Sequence, residues 1–163
     1  MSTHKFARRE FMRLSAATAA GLALVGAKAM AAGTQFSIAH TPAEWKRLLG
    51  PQRYHILREA GTEQPYSNSL LKEHRKGTFD CAGCGQPLFL SSTKFESGTG
   101  WPSFWMVLPS KVITRPDRSL GIERTEVLCA RCGGHLGHVF DDGPKPTGLR
   151  YCMNGLGLTF RPS

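Results

Sequence analysis

Two periodicities divide the chain beyond its N-terminal segment. Between Thr41 and Gly61 the apolar residues recur at helical spacing, whereas from Thr78 onward they fall in short runs typical of strands. Thr41-Pro42-Ala43-Glu44 reads as a helix start, with Thr41 as cap, Pro42 in the first turn and Glu44 completing a capping box. Trp45, Leu48 and Leu49 then supply a short apolar face. Pro51 restarts the chain, and Tyr54, Ile56 and Leu57 carry it to Gly61 as a terminus. The β-prone runs are Val107-Leu108, Lys111-Val112-Ile113-Thr114, Thr125-Glu126-Val127-Leu128 and Gly157-Leu158-Thr159-Phe160, separated by Gly, Pro and Asp turns. This texture predicts short antiparallel strands, since parallel ones need helical crossovers. A mainly β domain with a small α component is expected over residues 32–163, with no linker inside it.

Residues 1–31 have a different character. Arg8-Arg9-Glu10-Phe11-Met12-Arg13 precedes an uncharged, Ala- and Gly-rich stretch from Leu14 to Ala27, too short and weakly apolar to span a bilayer stably. Ala29-Met30-Ala31 offers the small residues of a signal-peptidase site, with cleavage expected after Ala31. The paired arginines resemble a twin-arginine export signal, which implies a periplasmic protein. An amphipathic helix of the domain is the alternative, but Leu14–Ala27 shows no polar face. Export of an already folded chain would let a metal bind its thiols before they meet an oxidising compartment.

Charge adds little. The net +9 falls to +5, with 16 basic and 11 acidic side chains, once the first 31 residues are removed. The remaining Lys and Arg are scattered rather than grouped with aromatics, so no nucleic-acid partner is expected. With 163 residues and 40% hydrophobic content, the chain has material for one core.

The five cysteines change the picture more. An odd number argues against a pure disulfide framework. Cys81-Ala82-Gly83-Cys84-Gly85-Gln86-Pro87-Leu88 and Cys129-Ala130-Arg131-Cys132-Gly133-Gly134-His135-Leu136 repeat one pattern, CAxCGxxL, with 44 residues between the two cysteine pairs. Two residues between cysteines let a tight turn present both sulfurs to one ion, and the following glycine permits the turn. Four thiolates suit zinc, in a closed site with a structural role. Redox-active pairs, two local disulfides and an iron–sulfur centre are the alternatives.

Cys152 is the thiol left over. If Gly148–Asn154 is extended, Arg150, Cys152 and Asn154 share a face, and a nearby cation favours the nucleophilic thiolate. A buried inert cysteine is the competing reading. In His135-Leu136-Gly137-His138-Val139-Phe140-Asp141-Asp142, extension would put His138, Phe140 and Asp142 on one side, making His138 and Asp142 an acid–base candidate pair. Ordinary turn residues are the alternative for the two aspartates. Gly98-Thr99-Gly100-Trp101-Pro102-Ser103-Phe104-Trp105 presents an indole suited to a methyl or thioether group, although such a cluster alone is more often core.

Taken in order, Cys81-x-x-Cys84, Ser97-Gly98-x-Gly100-Trp101-Pro102-Ser103-Phe104, Cys129-x-x-Cys132, His135-Leu136-Gly137-His138-Val139-Phe140 and Arg150-Tyr151-Cys152-x-Asn154 resemble the B-type methionine sulfoxide reductases, which act on the R epimer at sulfur. The resemblance spans about Thr41 to Arg161. It implies two small antiparallel sheets with flanking N-terminal helices, in a β-tent-like arrangement around a four-cysteine zinc site. It implies Cys152 as nucleophile, leaving as a sulfenic acid, with His138 and Asp142 as acid–base groups and Arg150 organising them. It also implies Trp101 as platform for the substrate methyl, His135 as oxygen-binding imidazole, and Asn154 and Phe104 within the substrate site. The implied substrates are oxidised proteins or free methionine sulfoxide, and the implied protein is a monomer.

One departure matters. Many members of that family carry a resolving cysteine two residues before the tryptophan, where this chain has Thr99. With four cysteines committed to metal, Cys152 has no partner thiol, so an external thiol or thioredoxin-like reductant is expected. A zinc-ribbon binding module without catalysis is the competing function.

Overall fold

The computed structural model describes residues 35–163; the expected export signal and its cleavage site lie outside them. Helix α1 (Pro42–Glu59) starts as its cap predicts: the Thr41 side chain accepts the Glu44 N–H at 3.3 Å, and Glu44 accepts the Thr41 N–H at 2.8 Å. The expected restart at Pro51 is present: Gly50 leaves helical geometry at φ 67° and ψ 172°, and Pro51, which has no N–H to continue the ladder, begins a second helical stretch within α1. It closes at Ala60, a left-handed cap residue one position before the expected Gly61. Trp45, Ile56 and Leu57 are buried, whereas Leu48 points to solvent, because Trp45 and Leu49 are the pair four residues apart that shares the inner face. Among the described residues no helix is long and apolar enough to cross a membrane.

Nine strands follow: β1 (Gly77–Cys81), β2 (Pro87–Leu90), β3 (Lys94–Phe95), β4 (Ser103–Phe104), β5 (Val112–Asp117), β6 (Arg124–Cys129), β7 (His135–Phe140), β8 (Arg150–Met153) and β9 (Leu158–Pro162). They form two antiparallel sheets, one ordered β2-β1-β9 and the other β3-β4-β8-β7-β6-β5. The expected mainly β, two-sheet fold is thus the observed one. Val107-Leu108 is not a strand, although the Leu108 N–H reaches the Leu88 carbonyl at 2.8 Å. Pro116 sits in β5, an edge strand, where its missing N–H costs no ladder bond to a further strand.

The core lies between the sheets. Phe79 of β1 and Phe89 of β2 both meet Phe104 of β4, with ring centroids at 4.9 and 4.3 Å. Met153, Val127, Leu136 and Leu158 fill the space around them, all at most 1% exposed. Burying such side chains contributes roughly 1.5–3 kcal/mol each. Helix α1 packs on β7 and on the 3-10 turn Gly155–Gly157, closing one side of this core.

Candidate active site

Both cysteine pairs lie in turns that join neighbouring strands, Cys81–Cys84 between β1 and β2 and Cys129–Cys132 between β6 and β7. The repeat seen in sequence is a repeat in structure. The Gly85 and Gly133 N–H groups donate to the Cys81 and Cys129 carbonyls at 2.8 Å each, and both glycines adopt φ 68°. The four sulfurs lie within 4.8 Å of one another. Cys81 Sγ is 3.7 Å from Cys132 Sγ, and Cys84 Sγ is 3.5 Å from Cys129 Sγ. A tetrahedral ion with 2.3 Å bonds to sulfur would separate its ligands by about 3.8 Å, so this set fits one ion. Hydrogen bonding to Cys129 pushes the Cys81 and Cys132 thiols up. Gln86 caps the cluster, its amide donating to Lys111 O at 2.7 Å and lying 3.5 Å from Cys129 Sγ. Because one turn belongs to each sheet, the cluster ties the two sheets together.

Cys152 stands apart, on a face of the larger sheet. Strand register places Arg115, Glu126, His138, Cys152 and Ser103 opposite one another across β5, β6, β7, β8 and β4. Residues paired in this way present their side chains to one face. A regular strand would send His135 and His138, three apart, to opposite faces. A bulge removes the conflict: Val127 pairs with Gly137 and Leu128 with His135, so Leu136 is the extra residue and both imidazoles share a face, with ring centroids 5.5 Å apart. Gly137 is required here, since a Cβ would come 2.1 Å from the Cys152 carbonyl oxygen.

A cavity of about 120 Å³ opens over this face, lined by Trp101, His138, Cys152 and Asn154 together with Thr62, Arg124, Gly137 and Phe140. It suits a small group; sites for drug-sized ligands occupy roughly 300–1,000 Å³. The Trp101 indole N–H donates to Glu63 O at 3.1 Å, fixing the ring. Asn154 has both ends of its amide engaged, accepting the Glu63 N–H at 3.0 Å and donating to Leu136 O at 3.2 Å. The Glu63 carboxylate takes the Gly155 and Leu156 N–H groups at 2.5 and 2.8 Å, so one buried residue holds two walls of the cavity. Thr99 Oγ1 lies 3.7 Å from Cys152 Sγ and 2.8 Å from Ser97 Oγ, which in turn lies 2.7 Å from Ser103 Oγ.

Three expectations from the sequence are corrected by this geometry. His138 is not paired with Asp142: its Nε2 meets Asp117 Oδ2 at 2.8 Å, because β5 runs beside β6 while Asp142 lies beyond the end of β7. Asp142 instead accepts both Arg150 donors at 2.8 and 2.7 Å, and the Arg150 guanidinium holds its carboxyl below the usual range. Phe104 is fully buried and stacked on Phe89, since Ser103 shares the face of Cys152 and the next residue must point the other way. His135 is 4% exposed and does not line the cavity; its Nδ1 meets Glu126 Oε1 at 2.7 Å and its Nε2 is buried without a partner. Burial pushes the His135 imidazole down, so it stays neutral, while hydrogen bonds from Arg115 and His135 outweigh burial to keep Glu126 ionised. Arg150 lies over the Phe140 ring at 4.4 Å, its cation raised further by Asp142 and the nearby Cys152 sulfur.

Residues that sequence reasoning passed over are Asp117, Arg124, Glu126 and Glu63. Alternate charges, Arg115-x-Asp117 and Arg124-x-Glu126, were the available signal of a polar strand face.

A protein-family profile described as SelR domain matches residues 49–162. A protein of Leifsonia xyli named peptide methionine sulfoxide reductase MsrB is 55% identical over 130 residues, covering 78% of this chain and 94% of the relative. The chain belongs to the MsrB (SelR-domain) family. Relatives bearing the same name in Methanosarcina barkeri and Leptospira interrogans are 53% and 51% identical, covering 78% and 77% of this chain and 90% and 97% of their own. The family match takes in both cysteine turns, the sheet face with His138 and Cys152, and all the cavity walls named above.

Proposed function

We propose that this protein is a methionine sulfoxide reductase acting on the R epimer, with Cys152 as nucleophile. The observation that carries the reading is the shared face of Cys152 and His138 beneath a small cavity walled by Trp101. The sulfoxide methyl lies against the indole. The Cys152 thiolate attacks the sulfoxide sulfur while the oxygen takes a proton from His138, because a sulfoxide is a poor electrophile until its oxygen is protonated. Arg150, fixed by Asp142, places a cation on the same strand two residues from Cys152. Methionine leaves and Cys152 holds the oxygen as a sulfenic acid. The second half needs two electrons from outside: one external thiol condenses with the sulfenic acid to release water, and a second frees Cys152 and leaves the donor as disulfide. Thr99 beside Cys152 supports that external route.

Zinc in the four-sulfur cluster is part of the proposal, as a structural ion that supplies folding energy rather than chemistry. Repair of oxidised methionine in the cell envelope is the role that the Arg8-Arg9 segment supports. Replacing Arg8 and Arg9 with Lys should leave the protein in the cytoplasm on fractionation; undiminished periplasmic protein would refute that location.

The deciding experiment assays the purified protein on both sulfoxide epimers with dithiothreitol. Reduction of the R epimer alone is expected, and Cys152→Ser should lower it at least about 10⁴-fold with metal retained, as for other lost nucleophiles. After substrate without reductant, a sulfenic-acid probe should label Cys152. Activity surviving in Cys152→Ser, or a stoichiometric intramolecular disulfide, would refute the reading.

A further inference from the structure

The β5–β6 hairpin carries a carboxylate to His138 from the far side of the sheet. Asp117 is fixed through both oxygens: Oδ1 accepts the Ser119 N–H at 2.9 Å, and Oδ2 lies 2.6 Å from an Arg124 guanidinium nitrogen and 2.8 Å from His138 Nε2. All three side chains are largely shielded, with Asp117, His138 and Arg124 at 16, 12 and 20% exposure. An ionised carboxylate only accepts hydrogen bonds, so the His138 nitrogen that faces it carries the hydrogen. Nδ1 is then the ring nitrogen left to exchange a proton.

We propose that Asp117 is a positioning residue for His138, holding Nε2–H so that Nδ1 delivers the proton to the sulfoxide oxygen. This rests on the reductase reading above. The other charges around His138 are already matched. Glu126, opposite it on β6, is engaged by Arg115 and His135. On β8, Arg150 is held by Asp142 and faces Cys152. Asp117 and Arg124 form the remaining pair, and they act on the imidazole with opposite sign. Removing either one unbalances the site in a predictable direction.

A general acid works below its pKa, so the rate declines as pH rises through the His138 titration. In Asp117→Asn the Arg124 cation stands unopposed and disfavours the imidazolium. The alkaline limb of the kcat/KM profile should therefore move down by about one pH unit or more, with activity at pH 8 falling about 10- to 100-fold and KM changing less than about 3-fold. In Arg124→Gln the Asp117 carboxylate stands unopposed, so the limb should move up. A merely structural role would shift both variants alike. Nitrogen NMR titration of His138 in both variants provides the same test without turnover. Opposite displacements of the His138 midpoint support the proposal, and an unmoved midpoint in a folded Asp117→Asn or Arg124→Gln protein overturns it. Should the wild-type protein reduce neither epimer, the reductase reading fails, while the titration still decides whether Asp117 governs His138.

Discussion

The cysteine turns and the strand thiol belong to one small fold, yet their surroundings are opposites. Cys81, Cys84, Cys129 and Cys132 sit where strands end, in turns that aim every sulfur at its fellows within 4.8 Å. Cys152 sits within a strand, its sulfur beside a threonine hydroxyl and near Arg150, on the lined wall of a cavity. A turn can bring sulfurs together because the chain doubles back on itself. A strand separates neighbours by alternation and instead lines up residues from other strands. In the proposed reading, the turns gather thiols for a metal and the straight strands line up the reacting groups. The β6–β7 hairpin has both arrangements, with Cys132 in its turn and His138, which lines the cavity, along β7.

That contrast is sharpest when written as stability. The largest loss should follow Cys132→Ser, since structural zinc in finger peptides is worth roughly 10–16 kcal/mol apparent. Metal analysis and circular dichroism should show metal and cooperative folding lost together; a folded, metal-free, fully active variant would break the distinction. Phe104→Ala comes next, at about 3–5 kcal/mol for a buried aromatic between two sheets. Denaturant unfolding measures it, and at temperatures where the variant stays folded KM for substrate should be unchanged. A raised KM with normal stability would return Phe104 to the substrate site. Smallest is Cys152→Ser, within about 0.5 kcal/mol of wild type by the same unfolding assay, as for a partly exposed position outside the core. A loss as large as that of Phe104→Ala would make Cys152 a core residue.

Much of this was legible in the chain. The capping box at Thr41, the duplicated CAxCGxxL turns and the strand around Cys152 are local patterns, and local patterns survive into structure. What escaped depends on distance along the chain. Asp117 reaches His138 only because β5 pairs with β6 and β6 with β7, and no spacing in the sequence announces that register. Phe104 was misplaced because its face is decided by which residue of β4 meets Cys152. Glu63 escaped because it holds Trp101 and Asn154 largely through its own backbone, which every residue possesses. The bulge at Leu136 could not be read from the HxxH spacing, yet it alone puts both imidazoles on one face.

If Cys152 reacts as proposed, the hydroxyl of Thr99, 3.7 Å from its Sγ, makes oxidised Cys152 a matter of timing. A sulfenic acid beside a second thiol is captured at once in a bond that peroxide attacks poorly. Beside a hydroxyl it waits. Any peroxide arriving before the donor carries it to sulfinic acid, which ordinary thiols do not reverse. A reductase working by the proposed cycle would be consumed by the stress it answers unless its reductant were abundant, so donor supply would set how many turnovers each molecule completes.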